Sequence, residues 1–294
     1  MSTFRRILIT AFCQTPGLAS ALKLLFPDAE VYTRASLAKK DAKAEDVAHL
    51  LGQLDVWVNV EAGEDFFSGG AFAASHPNLR YVSIPLLEFA AFQPDICGAG
   101  PRVLGRGGTA EYTSVIAVLA YRNGMSPADG AKLFNRTTFA NLGYLSQWDR
   151  SVARLREVFS QSSLAADFDR FYRRIKRLGI FMYSATHPRS VVLAELAKLI
   201  ALKLGKDPAS CEVDLPALDA LSYFIWPVYP EIAQTLAVPS SGYVWQWGDG
   251  TRLQGLERFL EHSFTLYRTK GLAPPDISIL GIDLERLADA VVAA

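Results

Sequence analysis

Cysteine, histidine and methionine are scarce in this chain: three, four and three among 294 residues. Cys13, Cys97 and Cys211 are odd in number and far apart, which excludes a disulfide framework and a paired-cysteine metal site. His49, His76 and His262 have no companions at ligand spacing, so no metal is expected. Net charge is also missing. Thirty basic and thirty acidic residues cancel, which removes any field-driven attraction to nucleic acid or an anionic surface. No stretch approaches the roughly 20 apolar residues of a membrane span. The opening "MSTFRRILITAF" sets basic residues before apolar ones, but its apolar run of about six is shorter than the roughly 7–15 of a signal segment. A cytoplasmic protein with reduced thiols is the expectation.

What is present is a globular composition, half hydrophobic and one fifth charged, long enough to bury a sizeable core. "RRILITAF", "AEVYT", "DVWVNV" (55–60) and "LRYVSIP" (79–85) read as strands. Between them, Leu18, Leu22 and Leu25 form one helical face, and Val47, Leu50, Leu51 and Leu54 another. Thr15 is the expected cap of the first of these helices and Pro16 its first residue. Strand–helix alternation implies a parallel sheet with right-handed crossovers. Tyr112, Val115, Ile116 and Leu119 predict a helix closed by Gly124, and Phe168, Phe171, Ile175 and Leu178 another, with "RRIKR" on its polar faces. "IFMYSAT" is strand-like and expected to complete the sheet; His187-Pro188 and the amphipathic "RSVVLAELAKLIALKLG" follow. Residues 239–276 are expected to be irregular.

The expected fold is therefore a single α/β domain: a parallel-sheet core from 1–110 and 179–205, a large helical insertion at 111–178, and a mostly helical and irregular part at 206–294.

Cys13 and His187 occupy equivalent settings, each ending a buried strand just before a proline and a helix. Ligands of open α/β sheets bind beyond the strands' carboxyl ends, where helix amino termini point. A thiol there is expected to have its pKa lowered by the helix end, and an imidazole there serves as a base. With backbone N–H groups for an oxyanion, the set suits acyl transfer. The residues also admit a plainer reading, in which the cysteine is a small buried hydrophobe and the histidine a turn residue.

A family resemblance adds to this. "ILITAFCQTPGLASALKLLFPDAEV", "VSIPLLEFAAFQPDI", "EYTSVIAVLAYRNGMS" and "IFMYSATHPRSVVLAELAKLIALKLG" occur in the order of four blocks of the WcbI family of capsular-polysaccharide biosynthesis enzymes. The resemblance implies a fold related to the SGNH hydrolases (flavodoxin-like), coenzyme A binding, and acetyl transfer from acetyl-CoA to a hydroxyl of a sugar or polysaccharide precursor. Position by position, Cys13 and Gln14 match the family's Cys-Gln pair, Asp95 its Pro-Asp aspartate, Ser114 its helix serine and His187 its His-Pro histidine. Ala11-Phe12 stands where the family has Gly-Asn, so either another donor, such as Asn59, serves the oxyanion or the pocket is altered.

In the expected mechanism His187 is the general base. Gln14 and helix N–H groups hold the oxyanion, Asp95 orients His187, and Cys13 is an acetyl carrier or a pocket wall. Arg102, Arg106, Gly107 and Gly108 offer a pyrophosphate nest, Arg189 a phosphate contact, and "YVWQWGDG" (243–250) aromatic rings for a sugar. Two rival functions use the same residues: an SGNH-type ester or thioester hydrolase, and a non-catalytic carbohydrate- or CoA-binding protein.

Overall fold

The computed structural model describes residues 4–37, 49–60, 73–99, 111–270 and 277–278. The chain divides into two compact units. The first comprises Met1–Glu88, Ala153–Phe181 and His187–Ser222, and the second Phe89–Val152, Met182–Thr186 and Tyr223–Ala294.

The first unit is built on a four-stranded parallel sheet in the order β2-β1-β3-β4. Its strands are β1 (Arg6–Thr10), β2 (Glu30–Thr33), β3 (Val56–Val60) and β4 (Arg80–Ile84). All four sit where the apolar runs predict them. Every residue of β3 is buried, as expected of a strand covered on both faces. Ile7, Ile9, Val56, Val58, Val82 and Ile84 share one face by register; Leu8, Trp57 and Tyr81 share the other and cluster with Leu54 and Leu51. Of the helix expected around Leu50, residues 49–51 are helical, while Val47 lies outside the described residues.

The helices Thr15–Leu25 and Ser190–Lys203 pack against each other. Gly17 makes this approach possible: a Cβ there would lie 2.6 Å from Leu193 Cδ1 and 3.2 Å from the Leu218 carbonyl. The Phe168–Lys176 helix buries Phe168, Phe171 and Ile175. On its polar side Arg174 binds Glu195 and Glu212, and Arg170 binds Glu212. "RRIKR" is thus a solvated face crossed by ion pairs.

Three expectations are corrected. "IFMYSAT" yields a strand (Met182–Ser184) that is not part of the four-stranded sheet, so that sheet is drawn wholly from the first 84 residues. Tyr112 is not helical. Glu111–Ser114 is a strand antiparallel to Ile96–Ala99, and the helix starts at Val115. The stretch 239–276 is, over its described residues 239–270, not wholly irregular. It holds a hairpin, Val244–Gln246 with Arg252–Gln254, and the helix Leu256–Lys270. That hairpin is anchored by Trp245, fully buried and stacked on Phe259 at 4.0 Å.

Because a methyl at Gly17 meets both a buried leucine and a backbone carbonyl, Gly17→Ala should destabilise the protein by about 1–3 kcal/mol. Urea titration measures this; an unchanged midpoint would show that the helices separate without cost.

Candidate functional site

At the carboxyl end of β1 the chain enters a short 3-10 turn, Phe12–Gln14, and then the Thr15–Leu25 helix. Thr15 is the first residue of that helix rather than its cap, and its Oγ1 accepts from Ala11 N–H at 2.8 Å. The turn forces Phe12 to φ +49° with its ring 42% exposed. A left-handed backbone suits Asn far better than an aromatic residue. The phenylalanine found there therefore leaves strain beside the thiol. Ala11, at φ −140°, needs none of glycine's freedom.

Cys13 is exposed, whereas Cys97 and Cys211 are buried; all three are free thiols. Its pKa is raised, not lowered. Desolvation by the surrounding walls outweighs the bond from its own backbone N–H, so the thiolate expected from the helix end is not favoured.

Gln14 is buried, and its amide bonds the backbone of Leu87 in both directions: Nε2 donates to Leu87 O at 2.9 Å and Oε1 accepts from Leu87 N at 3.4 Å. The side chain thereby ties the thiol turn to the segment that follows β4. Asn59, the other expected donor, is 5% exposed and belongs to a ladder across the sheet. Trp57 Nε1 donates to Thr10 Oγ1, Thr10 Oγ1 donates to Asn59 Oδ1, and Asn59 Nδ2 donates to the Tyr81 hydroxyl. Sequence reasoning missed Thr10 and Tyr81. Their register beside Trp57 and Asn59 at the strand ends was the available signal.

The two-residue strand His187–Pro188 lies against the Phe12–Gln14 turn. The turn and the strand are therefore neighbours in one unit, although 174 positions separate Cys13 from His187. His187 is buried, and desolvation lowers its pKa to about 4, which keeps the imidazole neutral. The following helix begins at Ser190, so Pro188 is extended and Arg189 is the exposed N-cap.

Asp95 and Ser114 lie together in the second unit. Ser114 caps the Val115–Arg122 helix by accepting from Ala117 N–H. Asp95, completely buried, accepts from Ile116 N–H, the Tyr144 hydroxyl at 3.0 Å and the Tyr229 hydroxyl at 2.7 Å. Burial nonetheless raises its pKa to about 6, against the pull of these bonds. The carboxylate thus sits at a helix amino terminus, where negative charge is favoured. Arg102, Arg106, Gly107 and Gly108 lie outside the described residues.

A cavity of about 790 Å³ is lined by Phe4, Arg5, Phe26, Asp28 and Lys206, among others. It opens at the amino end of β1, away from Cys13. Ligands of parallel sheets lie beyond the carboxyl ends, so chemistry rather than volume locates the candidate site. Among the described residues, no helix is long and apolar enough to cross a membrane.

The fold is that of an α/β protein with a four-stranded parallel sheet, in which the turn carrying Cys13 meets the short strand carrying His187. The chain belongs to the family described as "Polysaccharide biosynthesis enzyme WcbI", which matches residues 6–209. A solved structure of WcbI, described as a novel polysaccharide biosynthesis enzyme, is similar with a TM-score of 0.71 at 16% identity. The similarity covers 99% of this chain and 96% of that one. That structure is described as the native protein without a disulfide bond between coenzyme A and one of its cysteines. No curated protein sequence matches the chain.

Asp95 has a folded pKa above its unfolded one, so its contribution is complete below about pH 4. The contribution is lost as the pH rises through 6. The difference is about 3 kcal/mol. Asp95→Asn should flatten the dependence of the thermal midpoint on pH over this window; a retained slope would assign it to other groups.

Proposed function

We propose that this protein is a CoA-dependent O-acetyltransferase that moves an acetyl group from acetyl-CoA to a hydroxyl of a polysaccharide or sugar precursor. The carrying observation is the packing of the His187 strand against the Cys13 turn. Membership of a family of polysaccharide biosynthesis enzymes supports a glycan acceptor. A relative whose description links coenzyme A to a cysteine supports the cosubstrate.

The described residues fit a thioester. The exposed thiol stands next to an apolar ring, and the amino terminus of the Thr15–Leu25 helix follows within two residues. Arg189 is exposed at the start of a 14-residue helix, where its charge and the helix end suit a phosphate. Of the proposed phosphate ligands it is the one that the structure describes; Arg102, Arg106, Gly107 and Gly108 keep that role as part of the proposal.

Acetyl-CoA supplies an activated carbonyl. His187 takes the proton of the acceptor hydroxyl while that oxygen bonds to the carbonyl carbon. The imidazolium then returns the proton to the sulfur as the carbon–sulfur bond breaks. Backbone N–H groups of the first helix turn hold the oxyanion; loss of one such donor costs about 2.7–4 kcal/mol of barrier. Gln14, whose amide holds Leu87, acts by fixing that turn. Asp95 and Ser114 support the second unit's helix in this scheme.

The raised pKa keeps Cys13 a thiol, which favours direct transfer with Cys13 as a pocket wall over a covalent acetyl carrier. Cys13→Ser should therefore retain turnover without an acetyl-enzyme burst in rapid-quench kinetics; a burst in the native protein that the variant lacks would restore the carrier. Release of coenzyme A must depend on the acceptor, because acceptor-independent release would indicate a hydrolase.

The pH profile provides a sharper test. With His187 titrating at about 4, protonation removes the base only in acid. Turnover should hold down to about pH 5 and fall below it, rather than near the ordinary histidine value of about 6.5. A limb at the ordinary value would remove His187 from this role.

A further inference from the structure

The hairpin in the second unit ends in Trp247-Gly248-Asp249-Gly250-Thr251, a tip that the acyl-transfer scheme does not use. Its base is rigid. Trp245 is fully buried against Phe259, and Trp226 meets Phe259 edge-on at 5.5 Å. Upon this base Trp247 stacks on the His262 ring at 5.8 Å and 24°, and packs against Phe224 at 5.4 Å. Tyr223 is 46% exposed, and its ring runs beside bare backbone: a Cβ on Gly248 would stand only 3.2 Å from Tyr223 Cδ2. His262 is exposed as well. The indole nitrogen of Trp247 is covered and has no acceptor among the described residues, and its ring, packed among Phe224, Phe259 and His262, supports the tip from below.

Planar polar groups surround the rings. Asp249 is exposed, and the Thr251 N–H, with a smaller effect of nearby His262, holds its carboxyl below the usual range. Gln246 Oε1 accepts from Arg252 Nε at 3.0 Å, leaving the outer edge of an exposed guanidinium for other acceptors.

We propose that Tyr223, His262 and the tip of the 244–254 hairpin form a carbohydrate-stacking platform that receives the pyranose rings of the acceptor glycan. The chemistry is that of a sugar, which has an apolar C–H face to lay on an aromatic ring and vicinal hydroxyls at its rim. Exposed rings provide the first contact. Asp249, Gln246 and Arg252 provide planar partners for the second. An amphipathic peptide would want a broader apolar surface, and nucleic acid a basic one; the charges here, Asp249 with Arg252 and Glu261 with Arg258, are of both signs. The absence of a side chain at Gly248 lets the hairpin tip pack closely against one side of the Tyr223 ring, which leaves the ring part of the tip's surface.

The proposal rests on the glycan-acceptor reading above, but it is tested without coenzyme A and without turnover. The full chain is titrated calorimetrically with cellohexaose, maltohexaose and chitohexaose. At least one should bind. Tyr223→Ala should weaken that binding about tenfold, the scale of one aromatic contact. Tyr223→Phe should retain it, since the ring face is what is used. Cys13→Ser should leave it unchanged, which separates this site from the thiol. No binding of any of the three sugars, or equal binding by Tyr223→Ala, would overturn the platform while leaving acyl transfer intact. Binding lost with Cys13→Ser and kept with Tyr223→Ala would overturn it too, by placing the glycan at the thiol.

Discussion

The double pairing of β1 governs the first unit. β1 bonds β2 on one side and β3 on the other, in register along its length, and Ile7 to Ile9 are buried. A strand held on both edges and both faces has no freedom to bend before it ends. The chain is therefore released at one place, the carboxyl edge between β1 and β3, where the order of the sheet changes direction. This is the position that open parallel sheets give to ligands. Cys13 emerges there because β1 stops at Thr10, and His187 reaches it from a much later part of the sequence.

Two different electrostatic environments follow from burial. In the first unit, desolvation favours the neutral form of His187 and the thiol form of Cys13. In the second, Asp95 is enclosed yet surrounded by donors from Ile116, Tyr144 and Tyr229. One buried carboxyl here satisfies a helix terminus and orders two tyrosines. A buried polar network of this kind fixes a unique arrangement because each member would be costly if left alone. Phe139, stacked on Tyr229 and tilted against Tyr144, locks both rings from the side.

The sheet strands were legible because continuous β-branched runs have few other uses, and β1 to β4 fall on them. Two matching strand-to-helix turns drew attention to Cys13 and His187, and the short elements that carry them are in contact. Other features were not, for physical reasons. Pro188 looked like a first helical residue, but an extended proline serves equally well, and Arg189 became the cap. Glu111–Ser114 carries no helical signal of its own, and the apolar residues after it lent it their period. The hairpin at 244–254 was hidden because Trp245, Trp247, Gly248 and Gly250 give it a composition shared with irregular loops. Which acceptor the Gln14 amide would meet was beyond sequence, since Leu87 is 73 positions away.

Phe12 has a consequence for motion. A left-handed aromatic residue costs of order 1–3 kcal/mol, and that energy is released whenever the turn relaxes. The Gln14 amide, bonded to Leu87 in both directions, opposes that release. Loss of this tie, rather than global unfolding, is the event that would let amide protons of the turn exchange ahead of those in β1.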